Sequence, residues 1–160
     1  MLTLVRIDDR LIHGQVVEGW LPVLKAQRVA VVCDQAASDP TTRALMELSL
    51  PPAVGLDVLT GASAPSLLKR AAASPEKVLV LAPGPQEVLA LHEAGVPFSS
   101  VNVGGLHYAA GTVQLGRAIY LDAADIDCLE ALDERGVRVE GRAVPSEAPL
   151  DVMAALKARA

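Results

Sequence analysis

The chain has 160 residues, the length of about one ordinary domain. Hydrophobic residues make up 51% and charged residues 21%, a mixture typical of globular rather than disordered proteins. Aromatic residues make up only 2% and the net charge is −5. These values argue against nucleic-acid modules that stack bases on aromatic rings, and against basic surfaces for phosphate backbones or anionic membranes.

Short apolar runs rich in Val and Leu predict β-strands along the whole chain. They lie at residues 2–7, 28–33, 56–59, 77–81, 101–103, 118–121 and 137–140. Stretches with helical spacing separate most of them, which favours parallel βαβ units. The run at 137–140 alternates between apolar and charged residues, which predicts an edge strand.

Helix boundaries are marked by proline, aspartate and glycine. The first helix is predicted from about residue 14 to residue 25, with Pro22 near its end and Trp20 on its apolar face. A second helix is predicted to begin at Asp39-Pro40, with Leu45 and Leu48 facing inward. Later starts and stops are predicted at Ala64-Pro65, Pro85, Gly95, Asp122 with Asp125, and Gly136, followed by a last helix at 150–157.

These elements predict an α/β fold, with one three-layer domain spanning residues 1–160. Its twisted sheet is expected to be mostly parallel, with about six or seven strands and helices on both faces. In such sheets, ligands bind outside the carboxyl ends of the strands. The loops that follow the strands are therefore the places to search for a site.

The loop after the first strand holds the densest group of chemically active side chains. His13 is the candidate nucleophile, because imidazole is a versatile nucleophile and proton carrier near neutral pH. Arg10 offers a planar guanidinium that suits phosphate oxygens. The backbone N–H groups of Gly14, Gln15 and Val16, at the predicted helix start, add an anion site.

Two aspartates beside Arg10 leave alternatives open. Either Asp8 or Asp9 can hydrogen-bond one nitrogen of His13 and leave the other nitrogen free to attack. We expect Asp8 in the site, and one of the two aspartates to engage Arg10 or the backbone instead. The structural alternative is a capping cluster, in which Asp9 pairs with Arg10 and His13 caps the helix.

Other candidate residues are scattered. His107 follows the strand at 101–103, where it either reaches the same rim or is simply a polar residue there, and His92 is expected to be structural. The histidines, with Cys33 and Cys128, lack the clustering of a zinc site, so we expect no metal. GxxxxGK[ST] and GxGxxG motifs are absent, so we expect no bound nucleotide or other cofactor. Any phosphoryl group would have to arrive on another molecule.

The segment 6–16, with the sequence RIDDRLIHGQV, resembles the signature of the IIB component of the mannose/fructose/sorbose class of the bacterial sugar phosphotransferase system. SVNVGG at 100–105, with Leu121-Asp122 and Asp125-Ile126, resembles further blocks of that family, and the resemblance extends from residue 4 to about residue 156. An eleven-residue block is far more specific than a lone GxGxxG. The family commonly has a polar loop after the fourth strand, whereas this chain has the apolar sequence LAPGP at 81–85.

The resemblance implies an α/β domain whose phosphoryl carrier is His13. It implies that His13 receives phosphate at Nδ1 from a phosphohistidine on a cognate IIA protein or domain. The group then passes to a sugar delivered by the membrane components IIC and IID. Arg10 matches the arginine that neutralises the phosphate in the family. With Gly14, Gln15 and Gly84, which permits close backbone approach, Arg10 forms the expected set of phosphate contacts.

Two functions share this site. One is a phosphocarrier in sugar uptake, and the other is a regulatory module whose phosphorylation is reported to a partner. A third class, an unrelated small-ligand domain of the same fold, would not need the matching site residues. We expect a cytoplasmic location, extending to the inner face of the plasma membrane through IIC and IID, because cysteines are few and no apolar run reaches about 18 residues.

Composition and charge also predict the surroundings of His13. Trp20 is expected in the core, and no aromatic residue is expected near His13 to stack on a sugar or a base. The net negative charge predicts a basic rim on the IIA partner. A homo-oligomer is compatible with the sequence.

Overall fold

The computed structural model describes residues 1–159, and its strands form one large sheet and one small sheet. The strands are β1 (Leu2–Asp8), β2 (Arg28–Val32), β3 (Gly55–Leu59), β4 (Val78–Ala82), β5 (Ser100–Gly105), β6 (Val113–Leu115), β7 (Ile119–Leu121), β8 (Arg138–Gly141) and β9 (Leu150–Asp151). Seven of them form the large sheet in the order β3-β2-β4-β1-β5-β8-β9. All its pairs are parallel except β8 with β9. The predicted mostly parallel sheet is confirmed.

Helices connect the parallel strands. They are a π-helix (Gln15–Trp20), α1 (Leu21–Leu24), α2 (Asp34–Ala37), α3 (Pro40–Ser49), α4 (Ala64–Ala72), α5 (Pro85–Glu93), α6 (Ala123–Glu134) and α7 (Val152–Arg159). The predicted caps are confirmed: Asp39 accepts from the N–H of Thr41, and Asp122 with Asp125 forms a capping box. Gly95 and Gly136 follow their helices with φ of +91° and +82°. Left-handed backbone of this kind favours glycine.

The core lies on both faces of the sheet. Side chains alternate along β4, so Val78 and Val80 belong to one buried apolar cluster, while Leu79 and Leu81 belong to a second one. Helices cover both clusters, which confirms the three-layer α/β architecture. Trp20 is buried, as predicted. Within residues 1–159, no helix is both long and apolar enough to cross a bilayer.

The first helix differs from its prediction in geometry. The chain is helical where expected, but its first six residues, Gln15–Trp20, form a π-helix in which the Leu21 N–H donates to the Val16 carbonyl. Pro22 has no N–H to donate to the Glu18 carbonyl, so regular α-helical hydrogen bonding is interrupted at the junction. Such π-helical turns are frequent at functional sites.

The prediction that Leu45 and Leu48 face inward was wrong, because both are largely exposed. Only Met46 of α3 is buried. Since helix positions advance by 100° per residue, burial of Met46 turns Leu48 to nearly the opposite side.

Two strand predictions also change. Residues 138–141 do not form the edge, because the two-residue strand β9 pairs with the end of β8. The strand predicted at 118–121 forms as β7, but it pairs with β6 in a separate antiparallel hairpin. This hairpin is tied to the large sheet through Leu106, whose N–H donates to the Ala118 carbonyl. The hairpin therefore stands beside the carboxyl end of β5.

Candidate functional site

The loop between β1 and the π-helix lies at the centre of the sheet. β1 is flanked by β4 on one side and β5 on the other, and its carboxyl end is Asp8. The loop residues that follow therefore emerge among the carboxyl ends of the central strands, where α/β sheets bind ligands.

A buried carboxylate organises this loop. Asp8 is fully buried and accepts from Arg6 Nη2 at 3.1 Å, from Arg10 Nε at 3.0 Å and from Arg10 Nη2 at 3.0 Å. The Arg10 backbone N–H also donates to Asp8 at 3.1 Å. One negative charge thus joins two guanidinium groups, and the cluster keeps a net positive charge.

Arg6 is itself fully buried, which is rare for arginine and requires many partners. Besides Asp8, its guanidinium donates to the Asn102 side chain at 2.5 Å and to the backbone carbonyls of Arg142 and Ala143. It also lies 5.2 Å from the ring centroid of Trp20. Burial lowers the pKa of Arg6, and the neighbouring charge of Asp8 opposes this shift. Arg6 therefore fixes Asp8 from inside the protein.

The two glycines at the end of β5 make room for the two arginines. A Cβ atom at Gly104 would overlap the Arg6 guanidinium, and one at Gly105 would lie 3.0 Å from Arg10 Nη2. The GG pair after Val103 is thus explained by close approach of side chains to the strand. The chain needs both glycines to bring Arg6 and Arg10 to the same carboxylate.

His13 is held by the backbone of the loop. Its Nδ1 lies 2.9 Å from the Leu11 carbonyl oxygen, while its Nε2 lies 3.5 Å from Asp8 Oδ2 and 3.4 Å from Gln15 Oε1. Leu11 has φ of +57°, a left-handed conformation that is uncommon for a bulky residue. The imidazole is 16% exposed, so it is accessible but not free to turn in every direction.

Some of the phosphate contacts predicted at the helix start already have partners within the protein, and others do not. Gln15 Oε1 accepts from Arg10 Nη2 at 2.9 Å, so this side chain links Arg10 to His13. The Val16 N–H donates to the His13 carbonyl and is not free, unlike the prediction. Within residues 1–159, the N–H groups of Gly14 and Gln15 have no such partner. The anion site therefore consists of two amides rather than three.

Asp9 takes a different partner from the one expected in the capping alternative. Its carboxylate accepts from the His107 backbone N–H at 2.7 Å and lies 2.5 Å from His107 Nδ1. Arg10 pairs with Asp8 instead. His107 is 70% exposed and stands on the rim of the site without touching His13. Since both aspartates are engaged, His13 faces one carboxylate rather than two.

Gly84 lies in acidic surroundings. It shares a cavity with Asp9, Glu87 and Asp125, and His13 does not line that cavity. Burial raises the pKa of Glu87 and of Asp125, and nearby carboxylates contribute to both shifts. The carboxylates around Gly84 disfavour a phosphate in this cavity, and the contact predicted for Gly84 stays a prediction. Among residues 1–159, no group of carboxylate, imidazole and thiol side chains is arranged to hold a metal ion.

Two cavities open beside the loop, and the sequence did not indicate them. The hairpin cavity, of about 630 Å³, is lined by Gln15, Gly104, Arg117, Arg142 and Glu147 together with apolar side chains. The tyrosine cavity, of about 300 Å³, is lined by Arg10, His107, Tyr108, Arg117 and Tyr120.

The tyrosine cavity corrects the expectation of no aromatic residue near the site. The Tyr108 and Tyr120 rings meet edge to face with centroids 5.7 Å apart, and Tyr108 is 72% exposed. The two residues are distant in sequence from His13: Tyr108 follows the end of β5, and the pairing of the hairpin with Leu106 brings Tyr120 beside it. In the sequence, the turn at Gly116 and Arg117 was the one feature that could have indicated this cavity.

Together these groups can hold a dianion beside a nucleophilic nitrogen. Arg10 Nη1 and two backbone N–H groups are donors without partners among the described residues. Asp8 and Gln15 are acceptors that face His13 Nε2, and they favour a proton there once Nδ1 is released from the Leu11 carbonyl. This arrangement suits nucleophilic attack by the other ring nitrogen on a phosphorus atom.

Comparisons with known proteins show the family to which the chain belongs. A sequence model of one family, the PTS system sorbose subfamily IIB component, matches residues 2–160. The sorbose-specific EIIB component of Klebsiella pneumoniae is 34% identical over 152 residues, covering 95% of this chain and 93% of that protein. The mannose-specific EIIAB component of Escherichia coli K12 is 35% identical over 153 residues, covering 96% of this chain and 47% of that longer protein.

Solved structures include a near-complete match. The crystal structure of the IIB domain of the Klebsiella pneumoniae sorbose permease superposes with a TM-score of 0.93 at 33% identity. The match covers 100% of this chain and 98% of that one.

Proposed function

Because the chain belongs to the sorbose subfamily of phosphotransferase-system IIB components, we propose that His13 is its phosphoryl carrier in sugar uptake. The observation that carries the proposal is the single loop that brings His13, Asp8 and Arg10 together at the carboxyl end of β1. His13 accepts the phosphoryl group from a phosphohistidine on a IIA protein or domain. It then passes the group to a sugar presented by the membrane components IIC and IID.

Transfer is a displacement at phosphorus. The lone pair of the His13 nitrogen forms a bond to phosphorus while the P–N bond of the donor breaks, and that electron pair returns to the donor imidazole. The charge that spreads over the three equatorial oxygens needs fixed donors. Arg10 Nη1 and the N–H groups of Gly14 and Gln15, which have no partner among the described residues, supply them in this proposal.

The attacking nitrogen implied by the family resemblance is Nδ1, and its contact with Leu11 sets a requirement. A carbonyl oxygen only accepts, so the 2.9 Å contact places a proton on Nδ1. This hydrogen bond has to open and the proton has to leave before Nδ1 can attack. That proton passes to solvent and Nε2 takes up a proton in its place, facing Gln15 Oε1 at 3.4 Å and Asp8 Oδ2 at 3.5 Å. Asp8 is thus the residue that orients the imidazole.

The charge around His13 changes the expectation for the IIA partner. The chain is acidic overall, but the cavities beside His13 carry Arg10, Arg117 and Arg142. Local charge governs docking at contact distance, so an acidic rim on the IIA partner fits this surface better than a basic one.

The protein works in the cytoplasm, against the inner face of the plasma membrane when IIC and IID accept the group.

The test is reconstitution of the phosphoryl relay. The protein is incubated with enzyme I, HPr, the cognate IIA and labelled phosphoenolpyruvate. We expect one acid-labile, base-stable label on wild type and none on His13→Ala. Wild type without label, or His13→Ala with equal label, would overturn the proposal.

A second step separates transport from regulation. Membranes that contain IIC and IID are added to the labelled protein together with candidate sugars. Transfer of label to a sugar supports the transport role. Label that remains on His13 with every sugar supports the regulatory alternative, as does the absence of IIC and IID genes beside this one.

A further inference from the structure

The phosphoryl group needs more positive charge than Arg10 alone supplies. A phosphorylated histidine brings close to two negative charges at neutral pH. Arg10 spends its Nε and Nη2 donors on Asp8 and Gln15, which leaves only Nη1 for the phosphate. Arg6 is fully buried behind Asp8 and has no path to the group. The cluster of Arg6, Asp8 and Arg10 therefore carries one net positive charge against two incoming negative ones.

A second arginine without a partner among the described residues, Arg117, lines a cavity with Arg10. Arg117 is the central residue of the three-residue loop, 116–118, that joins β6 to β7. It is exposed, and its guanidinium makes no hydrogen bond or ion pair with any residue in the described chain. An arginine with five unused donors is suited to bind phosphate oxygens in pairs.

The backbone fixes this loop beside Arg10. Gly105, which Arg10 Nη2 approaches, is followed directly by Leu106, and Leu106 donates to the Ala118 carbonyl at 2.9 Å. The Tyr120 N–H in turn donates to the Leu106 carbonyl at 3.1 Å. Two hydrogen bonds thus tie the residues on either side of the loop tip to the strand end that carries the site.

Arg117 lines both cavities beside the β1 loop. It lines the tyrosine cavity together with Arg10, and it lines the hairpin cavity together with Gln15. Arg142 lines only the hairpin cavity, and its Nε is buried without a hydrogen-bond partner among the described residues. Of these two arginines, only Arg117 shares a cavity with Arg10.

We propose that Arg117 is a second phosphoryl-binding residue, which closes from the β6–β7 loop onto the phosphoryl group as His13 takes it up. This inference rests on the proposed phosphorylation of His13 and adds a contact to it. Arg10 holds one side of the group from the β1 loop, and Arg117 neutralises the remaining charge from the hairpin.

The test compares a small donor with a protein donor. Phosphoramidate transfers its phosphoryl group as the P–N bond to ammonia breaks, and it needs no docking surface. Phospho-IIA presents the same group from a protein. We expect Arg117→Gln to slow labelling of His13 by about tenfold with both donors, since a lost charge-assisted hydrogen bond contributes about 1.5 kcal/mol or more. Arg117→Lys should recover part of the rate.

Arg138→Gln is the matched control. Arg138 is also an exposed arginine, but it begins β8 beside Ser100, at the amino ends of the strands and away from the site. Its substitution removes the same charge and should leave both rates within about twofold of wild type.

Each contrary outcome is distinct. Equal rates for Arg117→Gln and wild type would overturn the inference. So would slowing with phospho-IIA alone, which would make Arg117 a partner contact, or equal slowing by Arg138→Gln, which would make the effect one of net charge. Failure of wild type to take label at His13 from either donor would instead overturn the proposed function.

Discussion

The carbonyl oxygen of Leu11 lies 2.9 Å from Nδ1 of His13, and the left-handed backbone of Leu11, at φ +57°, accompanies this contact. The turn is closed by the Leu11 N–H, which donates to the Asp8 carbonyl at 3.0 Å. The same two residues that hold the imidazole, Asp8 and Leu11, are thus joined to each other. Orientation of His13 depends on this one strained turn.

Substitution of Leu11 by valine should reveal the strain. A β-branched side chain disfavours the left-handed conformation, so Leu11→Val should lower the free energy of unfolding by about 1–3 kcal/mol beyond the loss of one methylene. Leu50→Val is the control, because Leu50 is equally buried in the same apolar cluster but has extended backbone at φ −90°. Urea unfolding measures both. Equal losses for the two variants would show that the turn is not strained.

The Asp8 cluster predicts a strong contrast between adjacent aspartates. Asp8→Asn leaves the buried Arg6 beside Arg10 without a counter-charge, and should lower the free energy of unfolding by about 3 kcal/mol. Asp9→Asn disturbs only the contact with the exposed His107 and should change it by less than about 1 kcal/mol. Chemical denaturation of both variants gives the comparison. Similar small losses in both would mean that Asp8 does not stabilise the arginine pair.

The close approach of Arg6 to β5 predicts the effect of one methyl group. Gly104→Ala should force the Arg6 guanidinium away from Asp8, lowering the free energy of unfolding by about 2 kcal/mol or more. Gly19→Ala is the control, since its added Cβ meets Pro145 at an ordinary 3.5 Å. In that helical position alanine should raise stability by up to about 1 kcal/mol. A tolerated Gly104→Ala would contradict the packing described for Arg6.

The sequence indicated the identity of the site residues better than their contacts. The alternation of apolar runs with helical stretches predicted six strands that pair in parallel, because each strand of a βαβ unit carries a local apolar pattern. The roles of Asp8 and Arg10 were expected, but their pairing was not. It depends on Arg6, a charged residue within a strand whose burial no periodicity indicates.

Long-range placement was the part that the sequence could not supply. Arg117 and the two tyrosines lie about a hundred residues from His13, and they line a cavity with Arg10 because the β6–β7 hairpin folds back beside the end of β5. The short strands β6 and β9 have too few residues to show a period of two. The net charge of the chain is also a poor guide to the local charge at the site. The chain is acidic overall, but Arg10, Arg117 and Arg142 line the cavities beside the β1 loop.

The acidic cavity around Gly84 predicts a pH effect on stability. Burial raises the pKa of Glu87 above that of the unfolded chain. The folded state then binds this proton more tightly, so the favourable contribution is present at low pH and is lost as pH rises through the raised pKa. Glu87→Gln, which is always neutral, should therefore be more stable than wild type at neutral pH, with the difference shrinking on acidification.

Thermal unfolding followed across pH measures that difference. Glu130→Gln, an exposed site on α6, is the control and should show a small difference that changes little with pH. A Glu87→Gln difference that grows on acidification would have the wrong sign for a raised pKa.

Substitution of Arg10 tests its role in phosphoryl transfer separately from any role in folding. Asp8 keeps its bond to Arg6 when Arg10 is removed, so Arg10→Ala should keep the circular dichroism spectrum of wild type. The same variant should take label from phospho-IIA about a hundredfold more slowly, because the principal donor to the phosphoryl oxygens is gone. Loss of folded structure in Arg10→Ala would instead favour a purely structural role for the loop.

The phosphorylated residue itself gives the most direct test of the account. Wild type is labelled through the phosphoryl relay, digested at alkaline pH to preserve phosphohistidine, and its peptides are sequenced by mass spectrometry. We predict label on the peptide with His13 and none on the peptides with His92 or His107. Label on His107 or His92, or label that persists in His13→Ala, would contradict the assignment of His13 as the phosphoryl carrier.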